Sequence, residues 1–293
     1  GAIAQMLRHD ATAPPLADMI INTQIMLNAE GRRDEFAQLR LPVLQATPYR
    51  RGDEAAWAAD PHGVALMDVP FYLAQPEYAG VIDIQIAAAT RKSDDEIVAI
   101  APQAQAVVNK ALALIHLQRK PAPDKQLALM FWNYPAGEKN FSAAFLNVPQ
   151  SLISTAHALR DAGYDVPPLP PEAQLIEQVQ RLLAPSYRDG LLPALVKDDL
   201  AALLPVAQYR RWLGTLPEAT RNALLARWGE PEKSASVIRQ DGTAYFAIPR
   251  LQLGKLALLP LPGRADKGVD GDAGKEKALY HSMKPDALPP HAY

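Results

Sequence analysis

The sequence predicts an α/β protein in which parallel strands are flanked by helices, and the clearest sign is a βαβ pattern at residues 127–166. Residues 127–132 form a short apolar run that ends in turn-forming residues, which is typical of a buried strand. A helix is predicted next, because apolar side chains recur on one face, Asn147 can cap its N-terminus and Gly163 suits its C-terminus. Residues 164–166 then begin a second short strand.

The loop at residues 133–147 is the predicted ligand site of this unit. Ligands of βαβ units bind outside the carboxyl ends of the strands, and this loop follows directly on the first strand. Its aromatic residues Tyr134 and Phe141 could stack on a flat ligand or pack into the core, and the residues alone leave both alternatives open.

The part of the chain before residue 120 predicts further strands and helices. Strands are predicted at four apolar runs, residues 19–26, 39–46, 69–73 and 81–86. Helical spacing occurs at residues 53–60 and again from residue 102, where apolar side chains form a wide face. The stretch RKPAP at residues 119–123 breaks the chain, so the first lobe is predicted to end at residue 120.

Beyond the βαβ pattern the chain predicts a helical segment and then strands. After a stiff linker, PPLPP, an amphipathic helix is predicted at residues 175–183, and residues 187–229 have helical character throughout. Asp241-Gly242 predicts a hairpin over residues 237–248, with another strand at residues 251–261. Four parts follow: a first α/β lobe at residues 1–120, the βαβ core of a second lobe at 121–170, a helical segment at 171–236, and a hairpin, strand and glycine- and proline-rich loop at 237–293.

Composition and missing motifs exclude several functions. The net charge of -2 gives no field that would attract nucleic acid or an anionic membrane, and no apolar run approaches the ~18 residues that span a bilayer. The absence of cysteine removes thiolate metal sites and thiol catalysis. The patterns GxxxxGK[ST], GxGxxG and GxSxG are also absent, so the chain is not expected to hydrolyse ATP.

Two groups of short motifs resemble one protein family. The first group is NYP at residues 133–135, LNVPQSL at 146–152 and ALRDAGYDV at 158–166. The second is Gly254-Lys255, PLPGRA at 260–265, Tyr280-His281 and PPHAY at 289–293. In this order and spacing they resemble the CobN-type large subunit of cobaltochelatase and its relative, the large subunit of magnesium chelatase, from roughly residue 15 to the last residue.

The resemblance implies a fold and a reaction. It implies flavodoxin-like or binding-protein-like α/β lobes in a cytoplasmic protein that inserts a divalent metal into a tetrapyrrole macrocycle. The metal is a substrate: cobalt enters a hydrogenobyrinic acid diamide, or magnesium enters protoporphyrin. ATP is used by separate AAA+ partner subunits, and no cofactor is expected on this chain. The family pattern continues past PPHxY into an HGxxEW-type segment that this chain lacks, so an internal fragment, inactive alone, is expected.

The resemblance also points to candidate site residues near the end of the chain. Arg264 and Tyr280 are candidates for tetrapyrrole binding, and a guanidinium can pair bidentately with a carboxylate. A solvated surface arginine is the alternative. His281 and His291 could hold or relay the metal ion, since neutral imidazole binds divalent metals, or they could simply hydrogen-bond neighbouring loops. No catalytic residue is assigned.

Three positions depart from the family pattern and leave the substrate open. Lys255 replaces an asparagine, Leu261 a glutamine and Ala265 a glycine, and the leucine lacks the amide that could hydrogen-bond a ligand. Two alternatives therefore stand beside a chelatase. One is a non-catalytic tetrapyrrole- or metal-binding module of CobN-like fold, and the other is a CobN-like protein acting on haem.

Overall fold

A computed structural model describes residues 2–10, 12–133, 138–139, 142–143 and 145–261. The chain divides between Lys120 and Pro121 into two compact units, which we call unit 1 (residues 1–120) and unit 2 (residues 121–293). Within the described ranges, no helix has both the length and the apolar character needed to cross a membrane. Both units contain parallel strands flanked by helices, which confirms the predicted α/β fold class.

Unit 1 contains a four-stranded sheet flanked by helices. Its helices and strands are α1 (Ala2–Met6), β1 (Ile20–Asn22), α2 (Ala29–Leu39), β2 (Val43–Tyr49), α3 (Glu54–Ala59), α4 (Gln75–Tyr78), β3 (Asp83–Thr90), β4 (Ile97–Ala99) and α5 (Ala101–Arg119). A 3₁₀ turn, Leu66–Asp68, and a π-helical turn, Pro70–Ala74, lead into α4.

The strand order in unit 1 is β1-β2-β3-β4. The first three strands are parallel and β4 is antiparallel to β3. Val43 lies opposite Ile20 and Leu44 lies opposite Asp83, and the pairing of β2 with β3 shifts at Thr47/Pro48. The carboxyl ends of three parallel strands therefore lie at one edge of the sheet, with β2 in the middle.

Alternation along β2 places apolar side chains on two faces of this sheet. Val43 packs in a cluster with Phe36 of α2 and Ala79, next to α4. Its neighbour Leu44 packs in a different cluster, with Val107 and Ala111 of α5. This is the arrangement expected for parallel strands buried on both sides.

Unit 2 contains smaller sheets, which are also flanked by helices. Its elements are β5 (Leu127–Phe131), β6 (Ser142–Ala143), β7 (Leu146–Asn147), α6 (Val148–Asp161), α7 (Glu172–Leu183), α8 (Leu192–Lys197), β8 (Ala201–Pro205), α9 (Val206–Leu213), α10 (Glu218–Trp228), β9 (Val237–Gln240), β10 (Thr243–Pro249), β11 (Leu251–Leu253) and β12 (Leu256–Pro260). The strand orders are β11-β12-β5, with β12 parallel to β5, and an antiparallel β8-β10-β9; β6 and β7 form a hairpin.

Helix α7 lies at the centre of the unit 2 core. Leu175, Val179 and Leu182 recur at the helical spacing and are fully buried, in one cluster with Leu256 and Leu258 of β12. The predicted amphipathic helix at residues 175–183 is thus confirmed. Burial of such side chains is the main source of stability for a domain of this size.

Two predictions from local sequence signals are also confirmed. The Asn147 side chain caps α6 by accepting a 3.2 Å hydrogen bond from the backbone N–H of Gln150. The Gln150 side chain, however, donates to Glu172 instead of completing a capping box. The hairpin of β9 and β10 turns at Asp241 and Gly242, both with positive φ, as a type I′ turn requires.

The structure contradicts the second strand of the predicted βαβ core. Residues 164–166 form no strand. The parallel partner of β5 is β12, which begins at Leu256, 95 positions after α6 ends at Asp161. Pro167 and Pro168 follow this stretch and have no N–H for a ladder. Asp165 instead accepts a 2.9 Å hydrogen bond from the backbone N–H of Lys255, at the turn before β12.

Other segments differ from the predictions because tertiary pairing outweighs local propensity. Residues 187–229 are not helical throughout, since β8 lies among them and pairs with β10. Residues 251–261 form two strands, β11 and β12, instead of one. Residues 69–73 are predicted as a strand but lie in helical turns, where Pro70 stands at the start and its missing N–H costs nothing.

Candidate functional site

A pocket opens at the carboxyl ends of β2 and β3 in unit 1, and we call it the strand-end pocket. Its walls come from the end of β2, the loop after α3 and the turn before α4. The lining residues are Thr47, Pro48, Tyr49, Arg50, Arg51, Gly63, Val64, Ala65, Asp68, Tyr72 and Ile86. This is the edge at which open α/β sheets bind their ligands.

A buried carboxylate holds this pocket together. The Asp60 side chain is only 7% exposed. It accepts a 2.8 Å hydrogen bond from the Tyr49 hydroxyl, a 3.0 Å bond from the backbone N–H of His62 and a close contact from the Arg51 guanidinium. Because a buried carboxylate requires such partners, these contacts tie the loop after α3 to the end of β2.

Arg50 is the most accessible cation of the pocket. Its side chain is 54% exposed, and its Nη1 contacts the Asp68 carboxylate at 3.2 Å. Its guanidinium also lies 5.8 Å from the centre of the Tyr72 ring. A guanidinium has five N–H donors, so this pairing leaves most of them for a ligand. Carboxylates and phosphates match that donor geometry.

Helix α3 is anchored beside the pocket by Asp53. The Asp53 side chain caps the helix by accepting a 2.9 Å bond from the backbone N–H of Ala56, and it pairs with Lys92 at 2.8 Å. The hydrogen bond from Lys92, followed by that from Ala56, lowers the pKa of Asp53. Asp53 therefore stays ionised at neutral pH and holds the turn after β2 in place.

The predicted ligand loop of unit 2 is described only in part. Asn133, directly after β5, donates a 3.1 Å hydrogen bond to the Tyr187 hydroxyl, and Arg188 forms a two-point ion pair with Glu138. Phe145 is fully exposed with a positive φ. These contacts connect the loop to the segment after α7, but they bring no set of acidic or imidazole ligands together.

The predicted tetrapyrrole residues Tyr134, Phe141, Arg264 and Tyr280, and the predicted metal residues His281 and His291, all lie outside the described residues. Their roles stay predictions. Among the residues that the structure describes, no group of three or more histidine, cysteine, aspartate or glutamate side chains could hold a metal ion. His62 is 73% exposed, with its Nδ1 3.7 Å from Asp60, too far for a hydrogen bond.

The strand-end pocket is a candidate site that the sequence analysis does not predict. A signal for it exists, because the polar run Arg50, Arg51 and Asp53 follows directly on the observed strand β2. Polar residues at that point of a parallel strand indicate a ligand edge. The predicted strand at residues 39–46 stops three residues short of the end of β2, so the arginines fell in an unassigned stretch.

Sheets with parallel strands flanked by helices define an α/β protein, and in unit 1 an arginine-lined pocket lies at the strand ends. The model of the CobN/Magnesium Chelatase family matches residues 2–293. The chain therefore belongs to the CobN/magnesium chelatase family, and the predicted resemblance is confirmed.

Similar proteins include subunits of cobaltochelatase and of magnesium chelatase. The chain is 29% identical over 289 residues to the aerobic cobaltochelatase subunit CobN of Pseudomonas aeruginosa, covering 94% of this chain and 22% of that protein. It is 28% identical over 189 residues to the chloroplastic magnesium-chelatase subunit ChlH of Oryza sativa, covering 61% of this chain and 14% of that protein.

A solved structure has the same fold. The catalytic subunit of cobaltochelatase from Mycobacterium tuberculosis matches with a TM-score of 0.67 and 24% identity, over 90% of this chain and 22% of that chain. The chain thus spans about a fifth of the length of the cobaltochelatase subunits that it resembles.

Proposed function

We propose that the chain is part of the tetrapyrrole-binding large subunit of an ATP-dependent cobaltochelatase, which inserts cobalt into a hydrogenobyrinic acid diamide. The observation that carries the proposal is the family match over residues 2–293, together with a shared fold over 90% of the chain. Cobalt is preferred to magnesium because similarity to two CobN subunits covers 94% and 86% of the chain, whereas similarity to magnesium-chelatase subunits covers 52% to 76%.

The reaction explains what such a segment must supply. Metal insertion requires a desolvated ion, a macrocycle bent so that its nitrogens can accept the ion, and acceptors for the nitrogens' protons. Binding groups on rigid elements hold a substrate in that geometry more accurately than free loops do. The strand-end pocket, anchored by Asp60, is a group of this kind, so we assign unit 1 to the wall of the substrate cavity.

The energy for the cycle comes from other subunits in this proposal. The chain has no phosphate-binding loop, so AAA+ partner subunits in the cytoplasm would hydrolyse the ATP. Cobalt enters as a substrate, and the side chains that coordinate it would come from outside the described residues.

The test is cobalt insertion by the large subunit that carries this segment. With AAA+ partner subunits, ATP, Co²⁺ and hydrogenobyrinic acid diamide, we expect the visible spectrum of the cobalt product, and no product without ATP or partners. The 293-residue chain alone should insert nothing. Insertion of magnesium into protoporphyrin instead, or no product with either pair of substrates, would contradict the proposal.

A further inference from the structure

An exposed apolar surface lies on the segment that forms one wall of the strand-end pocket. Leu66 is 84% exposed and Met67 is 80% exposed, and nearby Phe71 is 39% exposed. We call these three side chains the apolar shelf. Large apolar residues exposed together mark contact sites on soluble proteins. Between and beside them, Asp68 and Tyr72 line the pocket itself.

The pocket adds a positive group with unused donors to this apolar surface. Arg51 contacts the buried Asp60 and is needed to neutralise it. Arg50 contacts Asp68 through Nη1 alone and is the more exposed of the two arginines, at 54% against 46%. Arg50 is therefore the residue that can donate hydrogen bonds from a further pair of N–H groups to a second carboxylate.

Several contacts hold the groups around Arg50 in place. The hydroxyl of Tyr49 and the backbone N–H of His62 hold Asp60 at 2.8 and 3.0 Å, and the Tyr72 ring lies beneath the Arg50 guanidinium. A preformed site loses less conformational entropy on binding than a mobile one. These contacts orient the cation before the ligand arrives.

We propose that the strand-end pocket binds one peripheral carboxylate of the macrocycle through Arg50, while the apolar edge of the ring lies on the shelf of Leu66, Met67 and Phe71. This inference rests on the proposed function. A tetrapyrrole acid carries carboxylates on short arms around a largely hydrocarbon ring, so it can contact a guanidinium and neighbouring apolar side chains at once. Arg50 is then a positioning residue that sets the orientation of the substrate.

Titration of the 293-residue chain with hydrogenobyrinic acid diamide and with its methyl ester, followed by absorbance, tests the arginine contact. The wild-type chain should bind the acid about 10-fold more tightly than the ester, the effect expected for a charge-assisted hydrogen bond. Arg50→Gln should bind both forms equally, at the affinity of the wild-type chain for the ester. Arg33→Gln is the matched control, since that arginine also lies over a tyrosine ring, at 5.4 Å from Tyr78, but outside the pocket.

The shelf is tested by the double variant Leu66→Ser/Met67→Ser. Both side chains are exposed, so the fold should tolerate the change, and thermal unfolding verifies it. We expect the affinity of this variant for the acid and for the ester to fall by the same factor, about 10-fold. The control Leu117→Ser, on the exposed face of α5, should change neither affinity.

The outcomes separate this inference from the proposed function. If the wild-type chain binds no tetrapyrrole, the proposed function itself loses its support. If it binds the acid but Arg50→Gln keeps the 10-fold preference over the ester, the assignment of the carboxylate site is wrong while the function stands. A third outcome is that the wild-type chain binds anionic phospholipid vesicles and the shelf variant does not, while both bind the tetrapyrrole equally well. That result would assign the shelf to a membrane surface and overturn the inference.

Discussion

The Tyr49 hydroxyl donates a 2.8 Å hydrogen bond to the buried carboxylate of Asp60. This bond joins the last residue of β2 to the loop after α3, and it places the two arginines that follow Tyr49 at the mouth of the strand-end pocket. The geometry of the candidate site therefore depends on a contact in the core, since Tyr49 is itself only 5% exposed.

Replacing Tyr49 by phenylalanine should destabilise unit 1. The change leaves the buried carboxylate without one of its donors, at a cost of about 1–3 kcal/mol. Urea unfolding of Tyr49→Phe against the wild-type chain measures it. Tyr78→Phe is the control, because Tyr78 is 55% exposed and should change stability by less than about 0.5 kcal/mol. Equal stability of the two variants would mean that Asp60 gains nothing from Tyr49.

Gly254 should tolerate no side chain. Its φ is +57°, and a Cβ would stand 2.7 Å from the backbone oxygen of Asp165. Gly190 also has positive φ but open space around it, so Gly190→Ala isolates the backbone strain, about 1–2 kcal/mol. We expect Gly254→Ala to unfold at clearly lower urea concentration than Gly190→Ala. Identical midpoints would show that the turn before β12 moves freely away from Asp165.

Lys255 should prove to be a structural residue. Its Nζ donates a 2.8 Å hydrogen bond to the backbone oxygen of Pro123 and lies 3.6 Å from the carboxylate of Asp124, so it anchors the start of β5. Lys255→Asn, which restores the family residue, should cost less than about 1 kcal/mol because the pair is exposed. It should leave tetrapyrrole affinity unchanged. A change in macrocycle preference would make this departure from the family pattern a determinant of specificity.

Stability in acid should depend on Asp83. Burial raises its pKa, but hydrogen bonds from Lys110 and Gln85 outweigh the burial, and the pKa of Asp83 lies below its ordinary value of 3.8. A carboxyl with a lowered folded pKa stabilises the fold above its unfolded pKa, and this contribution is lost as the pH falls through the folded value. The urea concentration at the midpoint of unfolding should therefore fall as the pH is lowered below about 4.

The variants Asp83→Asn and Lys110→Gln test that pH dependence. The ion pair joins Lys110 Nζ to Asp83 at 2.5 Å, and Gln85 donates a 2.7 Å hydrogen bond to the same carboxylate. Asp83→Asn removes the titrating group and should flatten the acid part of the stability curve. Lys110→Gln should flatten it only in part, because the hydrogen bond from Gln85 remains, and the double variant should flatten it no further than Asp83→Asn. A double variant that loses the sum of the two single effects would contradict the assignment.

The sequence predicts those parts of the fold whose signals are local. The cap at Asn147 and the turn at Asp241-Gly242 depend on nearby residues, and both are confirmed. The strand Ala201–Pro205 has a helix-favouring composition and becomes a strand only because β10 lies beside it. Likewise the partner of β5 comes from residues 256–260, a distance in sequence over which no spacing rule operates.

The candidate site is harder to predict for a related reason. Arg50, Asp60 and Tyr72 are spread over 23 positions, from the end of β2 to the turn before α4, and only the folded sheet brings them together. None belongs to a motif of the family pattern that was recognised in the sequence. The residues that were predicted from that pattern, Arg264 among them, lie outside the described part of the chain.

If this segment forms a wall of a tetrapyrrole cavity, the 293-residue chain should bind the macrocycle, and a titration measures that binding. Hydrogenobyrinic acid diamide, protoporphyrin and haem are each added while the absorbance band of the macrocycle is followed. We expect saturable but weak binding, with Kd above ~1 µM, because one wall buries little of the ligand, and the diamide should bind most tightly. Absence of any shift, or submicromolar binding of any of the three macrocycles, would show that the segment is not such a wall.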